Sequence, residues 1–289
     1  MKYRFMQAHR GEHRVEKMAV NLGVTRSGFY AWARGGKAAR RAEDEELGEL
    51  IKGIQREVKH RYGSPRMTKE LARGGRRVGH NRVARLMRER QLGARPRKAY
   101  RVTTKSNHGH PVAENLLQRQ FSVPMANRVW VSDITYIATA EGWMYLCVVL
   151  DLYSRRVVGW SMGRSLGVEL AVNALRMAVL HRRPLGDLVL HSDRGVQYCA
   201  HAFRRHLREH SIRQSMSRKG DCWDNACAET FFASLKTELV GSRIFITREQ
   251  ARRELFEYIE VFYNRRRLHS YLGYLTPHEF ESASAAEAA

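Results

Sequence analysis

The sequence predicts an α/β domain, a five-stranded mixed sheet with flanking helices, preceded by small all-helical units. Three observations carry this. Three runs rich in β-branched and aromatic residues, 129–138, 143–151 and 156–162, follow one another across short connections. Helical and short apolar segments then alternate to residue 263. The charge is also divided. Residues 1–120 carry 29 basic and 11 acidic side chains, net +18, out of a whole-chain net of +22. The first two-fifths therefore reads as an arm that holds a polyanion, for which nucleic acid is the first candidate.

In chain order, residues 14–34 read as two short helices. Val15–Leu22 is apolar at helical spacing, Gly23 punctuates, and Thr25-Arg26-Ser27 opens a second helix through Trp32. This is a helix-turn-helix outline, and an ordinary helical hairpin fits it equally. Residues 43–60 form an acidic-then-basic amphipathic helix. Met67–Ala72 and Asn81–Arg90 have helical periodicity around Gly74-Gly75, with Arg82, Arg85, Arg88 and Arg90 crowding the second. Glu89 is the one acid nearby in sequence, so contact with DNA phosphates is expected from Arg82, Arg85 and Arg88, and from Arg26 at the start of the earlier helix. The expected units are 1–42, 43–94, a basic linker 95–124 containing Pro96 and Pro111, and a domain 125–289.

Within that domain the three strands suggest an antiparallel meander. Glu169–His181 is a helix with Ala171, Leu175, Ala178 and Val179 on its apolar face. Asp187–His191 is a short buried-type strand, 200–210 a helix, and 211–216 another short strand. Asp224–Leu239 and Arg248–Tyr263 are helices, and the Ala/Ser/Glu tail after Phe280 is low in complexity. Three strands, helix, strand, helix, strand, helix is the order of a ribonuclease-H-like domain.

Three carboxylates stand out against the basic background. Asp133 and Asp193 end or interrupt strand-like runs, and Glu229 lies in a helical run, with 35 residues between it and Asp193. Acids that converge repel one another unless a cation intervenes, and oxygen ligands suit Mg²⁺ or Mn²⁺. Two such ions about 4 Å apart clamp the attacking and leaving oxygens of a phosphoryl displacement. At about 100° per residue, Lys236 returns to within about 20° of the face of Glu229, and Asn225 joins that stripe. Both are expected to face DNA. Glu238 falls on the opposite face and makes a poor third ligand. Asp151, which also ends an apolar run, is read as structural, His191 as packed or hydrogen-bonded, and Trp130 as core.

Cys147, Cys199, Cys222 and Cys227 lack C-x-x-C spacing and are expected to be free thiols rather than zinc ligands. No apolar h-region follows Met1-Lys2-Tyr3-Arg4, and no apolar run approaches the roughly 20 residues of a membrane span. The expectation is a soluble cytoplasmic or nucleoid-associated protein.

Taken together, Gly23–Trp32, Arg61-Tyr62-Gly63-Ser64-Pro65-Arg66, Gly142-Trp143-Met144-Tyr145-Leu146, His191-Ser192-Asp193-Arg194-Gly195, Asp221-Cys222-Trp223-Asp224-Asn225-Ala226 and Tyr263-Asn264-Arg265-Arg266-Arg267-Leu268-His269-Ser270 resemble the DDE transposases and retroviral-type integrases. The likeness is to OrfB, the downstream-frame product of the IS-three family of bacterial insertion sequences, and covers nearly the whole chain. It implies an integrase-type catalytic core, with Asp133, Asp193 and Glu229 as catalytic and metal-binding residues and Lys236 as the basic residue after the glutamate. It implies two steps at one site. Water first frees a 3′-hydroxyl at an element end, and that hydroxyl then attacks another strand. The implied partners are end and target DNA, further copies of the chain on that DNA, and the OrfA product, separate or fused. A helix-turn-helix regulator would have no use for the three acids, and a hydrolytic nuclease or resolvase would cut without joining.

Overall fold

The computed structural model describes residues 1–94, 112–218 and 225–287. They belong to two compact units, Met1–Ala94 and Arg95–Ala289. Most of the expected linker, Cys222, and the Asp221–Asp224 part of the Asp-Asn-Ala motif lie outside the described residues.

In the first unit, helices α1 (Lys2–Ala8), α2 (Val15–Asn21) and α3 (Arg26–Ala33) close on Met6, Met18, Ala19 and Phe29. The α2–turn–α3 pair follows the sequence pattern. The Thr25 hydroxyl caps α3 by accepting the Gly28 N–H at 3.1 Å. Sequence periodicity did not predict α1, which supplies the third wall of this small core. Helices α4 (Gly36–Glu57), α5 (Ser64–Arg73) and α6 (His80–Glu89) follow, burying Ile51, Val58, Met67, Leu71, Val83 and Leu86. The boundary expected at 42/43 falls inside the single helix α4. Gln55, fully buried, donates to the carbonyls of Tyr62 and Leu92, both at 2.7 Å, stapling the two chain ends that leave α4 and α6.

The second unit is built on a sheet of order β3-β2-β1-β4-β5. Strands β1 (Val129–Thr139), β2 (Gly142–Asp151) and β3 (Val157–Gly163) form the predicted meander. Strands β4 (Val189–Ser192) and β5 (Arg213–Met216) run parallel to β1. Period-two alternation divides the strands between two faces. Trp130, Cys147, Val149, Val158 and Leu190 meet α7 (Val168–Arg182), α8 (Val196–Cys199) and α9 (His201–Glu209). The alternate residues, among them Val131, Ile137, Leu146, Val148 and Leu150, are buried on the opposite face, where α10 (Ala226–Leu235) packs on β1. Gly159 lets α7 approach closely, because a Cβ there would lie 2.3 Å from the Ala174 carbonyl oxygen. The outer edge of β5 is covered by the incoming chain, with the Met216 N–H bonded to the Glu114 carbonyl at 3.3 Å.

After α10 come a π-helical turn, Lys236–Val240, then α11 (Arg248–Phe256) and a second π-helical stretch, Glu257–Tyr263. The low-complexity tail contributes α12 (Pro277–Glu287). Its Glu281 accepts from Arg182 at 2.8 and 2.9 Å, Arg156 at 2.7 Å and Ser154 at 2.7 Å. Arg182 also reaches Asp151 at 3.3 Å, and the backbone N–H groups of Asn127 and Tyr153 complete that carboxylate's shell at 2.8 and 2.9 Å. Asp151 is thus the structural acid its sequence context suggested. No described helix is long and apolar enough to cross a membrane.

Burial pushes the Glu281 carboxyl up, but hydrogen bonds from Arg182, Ser154 and Arg156 outweigh it and hold it below its ordinary value of 4.5. Its stabilisation is therefore complete above pH 4.5 and lost as pH falls through the depressed value. Glu281→Gln is expected to cost about 2 kcal/mol at pH 7, less than breaking a fully buried pair. Denaturant titrations at pH 7 and at pH values stepped below 4.5 check this. The wild-type advantage should shrink with acid, and an advantage unchanged by pH would contradict the assignment.

Candidate active site

Two strands and one helix bring the predicted acids together. The parallel register pairs Ser132 with Ser192, so Asp133 and Asp193 each follow a paired residue on adjacent strands. The serines are buried. The Ser132 hydroxyl donates to the Val148 carbonyl at 2.9 Å and lies 2.9 Å from the Tyr198 hydroxyl. The aspartates, one residue on, point to the other face and are half-buried. One oxygen of Asp133 accepts the Ile134 N–H at 2.7 Å, and one of Asp193 accepts the Gly195 N–H at 3.0 Å. Each carboxylate is thus oriented by a backbone N–H.

Loss of water raises the Asp133 carboxyl well above its ordinary value. Asp193 raises it further and Glu229 adds to this, while the Ile134 N–H and Lys236 oppose them. Burial alone raises Glu229. Burial lowers the Lys236 ammonium, and Asp133 pulls it partly back. Asp133 on β1 therefore feels the charges of Asp193 at the end of β4, Glu229 on α10 and Lys236 at the start of the π-turn. The expected seven-residue return from Glu229 to Lys236 holds because α10 stays α-helical through Leu235 before the π-turn begins.

The donor set fits a hard divalent cation. Every candidate ligand is an oxygen, and the acids repel one another without a counter-charge. Among the described residues the buried Asn225 side-chain oxygen has no hydrogen-bond partner. Among the described residues no three acids close to mutual ligating distance, so the trio forms an open cluster rather than a finished cage.

Asn225 departs from expectation. Rather than lying in the helix with its side chain toward DNA, it precedes α10 with a non-helical backbone and is 5% exposed. Its amide donates to the Ser132 carbonyl at 3.3 Å, tying the helix start to the strand of Asp133. A side chain so enclosed is a tether, not a DNA contact. His191 is buried between the Ser215 and Ser217 hydroxyls at 2.8 and 3.2 Å, and Trp130 is in the core, both as expected.

The arginine comb of α6 departs more sharply. Its facing acids come from α4, some 40 positions earlier in the chain. Arg82 bonds Asp44 at 2.7 Å and Glu43 at 3.1 Å. Arg85 bonds Asp44 at 2.6 Å and Glu89 at 2.9 Å, and Arg90 bonds Glu45 at 2.9 Å. A hydrogen bond from Arg85, joined by Arg82, holds the Asp44 carboxyl below its usual range against the opposing effect of burial. Arg82 and Arg85 are therefore engaged inside the unit. Arg88 is exposed, and Arg26 is exposed with an ion pair to Glu16 at 2.9 Å.

Two stretches match the family described as integrase core domain, residues 123–222 and 229–284, and an HTH-like domain matches residues 42–100. The HTH-like match thus falls on α4–α6 rather than on the α2–α3 pair that the sequence outline singled out. The chain is 41% identical over 99% of its length to the whole of the transposase InsF for insertion sequence IS3A of Escherichia coli strain K12. It is 43% identical over 91% of its length to 97% of the insertion element IS600 31 kDa protein of Shigella sonnei.

One glycine tests the geometry. A Cβ at Gly195 would lie 3.0 Å from the Asp193 oxygen and 2.7 Å from the Gln197 side-chain oxygen. Gly195→Ala is expected to displace the carboxylate while keeping the fold, weakening Mn²⁺ binding about tenfold, as loss of an orienting partner does. Mn²⁺ titration alongside thermal unfolding checks it, and unaltered affinity would mean that Asp193 needs no such placement.

Proposed function

The chain belongs to the IS3 family of insertion-sequence transposases, and on that premise we propose that Asp133, Asp193 and Glu229 are its catalytic, metal-binding carboxylates, with Lys236 beside them as a phosphate-holding residue. The enzyme is a DDE-type polynucleotidyl transferase with an integrase core, acting in DNA transposition and dependent on a divalent metal. One observation carries the residue assignment. The β1–β4 register sets Asp133 and Asp193 just past paired residues of adjacent strands, and α10, which carries Glu229, packs on β1.

The finer reading is two Mg²⁺ or Mn²⁺ ions held by the three carboxylates, which would neutralise charge on the reacting phosphate. The chain's own residues prepare that site. The Ile134 and Gly195 N–H groups orient the aspartates. Lys236, carried on the same face as Glu229, presents its ammonium to a phosphate of the end or target strand. Asn225 fixes the entry of α10 against β1. In the first unit, Arg88 and Arg26 remain the proposed phosphate contacts. Arg82 and Arg85 instead shape the α4–α6 domain that presents Arg88. Further copies of the chain on DNA, and the OrfA product as partner or fusion, complete the proposed assembly.

The test is genetic. The gene is placed in cells with its native flanking DNA and the OrfA frame, and the junction of an excised circle is amplified for wild type and Glu229→Gln. A junction from wild type alone is expected, with loss of at least about a hundredfold in the variant. Equal junction signal from Glu229→Gln would remove Glu229 from the chemistry.

A further inference from the structure

We propose that Arg267 is a positioning residue for the reaction, setting the rotation of α10 about its own axis and so the direction in which Glu229 and Lys236 point. The proposal rests on the reading of those two residues above.

The helix and its π-turn carry two opposed faces. At about 100° per residue, Phe231, Ser234 and Glu238 fall within about 60° of one another, and Glu229 and Lys236 lie on the other side of the axis. All three back-face residues are seated on the stretch 258–267. The Phe231 ring meets Tyr263 edge-on, with centroids 4.8 Å apart and planes at 87°. The Ser234 hydroxyl accepts from Arg267 Nη2 at 2.9 Å. Glu238 accepts from Arg267 Nε at 2.9 Å and Nη2 at 2.7 Å, and from the Tyr258 hydroxyl at 2.9 Å. One guanidinium thus grips residues 234 and 238, on either side of Lys236 in the chain.

The seat is anchored to the sheet. The Asn264 side chain accepts the Val157 N–H and donates to the Val157 carbonyl, both at 3.0 Å, pairing with β3 as a short strand would. Contact therefore runs from the sheet that carries Asp133, through Asn264 and Arg267, to the back of the helix that carries Glu229. Arg267 and Glu238 each have side chains 7% exposed. For stability alone, an apolar pair of equal volume serves such a place as well or better. What the apolar pair lacks is angle. Two N–H groups converging on one carboxylate fix rotation, and an ångström of misplacement at a reacting centre costs about a hundredfold in rate.

The test is strand transfer by the full chain, with the OrfA product present, of a pre-cut duplex bearing the element's end. Kinetics and thermal unfolding are measured for Arg267→Lys, Arg267→Met and the apolar pair Arg267→Met/Glu238→Leu. Expected for the apolar pair is an unfolding midpoint near wild type, a KM for DNA changed far less than kcat, and kcat reduced at least about tenfold. Arg267→Lys, which keeps the charge but loses the fork, should fall between. Wild-type kcat in the apolar pair would overturn the proposal. So would losses of kcat that track the fraction unfolded across the series, and if the apolar pair does not fold, the same comparison is made on Arg267→Lys. Glu229→Gln run alongside separates the two readings. Strand transfer surviving in that variant would overturn the placement of chemistry at Glu229, and with it the proposal.

Discussion

The parallel pairing of β1 with β4 is the constraint on which the rest depends. It sets Ser132 opposite Ser192 and so lodges two carboxylates, Asp133 and Asp193, on neighbouring strands, which run about 4.8 Å apart. Like charges held that close beside an apolar sheet destabilise the folded chain. The surroundings reduce the cost without removing it. Backbone N–H groups take one oxygen of each aspartate, and Lys236 lends a positive charge at some loss of its own hydration. The Asp133 carboxyl still sits well above its ordinary value. A divalent cation beside the two aspartates would relieve that repulsion.

Around that site the chain separates apolar support from polar alignment. The β1–β4 platform is packed by α7 and α9 from one side, and α10 closes the other. Arginine–carboxylate pairs then lock elements distant in sequence, Arg182 with Glu281 in α12, Arg267 with Glu238 behind α10, and Arg82 and Arg85 with Asp44 in the first unit. Net charge therefore overstates the number of arginines available to DNA. In the first unit the charge is real, but three members of its most conspicuous arginine run, Arg82, Arg85 and Arg90, pair with acids of α4 and hold the domain together.

What was legible in the sequence was local or periodic. Runs of β-branched and aromatic residues marked the strands within two residues at most ends, because alternation and turn residues bound them. The Glu229–Lys236 face followed from helical periodicity over seven residues, a span that α10 keeps nearly intact. Glu238 faces away from the site as expected, but its ion pair with Arg267, 29 positions on, was invisible. The Arg82–Asp44 pair, 38 positions apart, was missed for the same reason, since such contacts exist only once the helices pack. Asn225 was misread because α10 begins two residues later than its pattern suggests, turning a surface position into a buried cap. The tail helix α12 lay beyond compositional reading. Ala, Ser and Glu fix no partner, and Glu281 finds its arginines only in the folded domain.

The central claim is that Asp133, Asp193 and Glu229 form one repelling cluster that a divalent cation relieves. The most direct measurement is the unfolding midpoint of wild type and Asp133→Asn, with and without Mg²⁺. Without metal, the variant should be more stable than wild type, because one of the crowded charges is gone. Millimolar Mg²⁺ should raise the wild-type midpoint by roughly 2–5 °C and leave the variant nearly unmoved. A variant less stable than wild type in the absence of metal, or one that responds to Mg²⁺ as wild type does, would contradict the account.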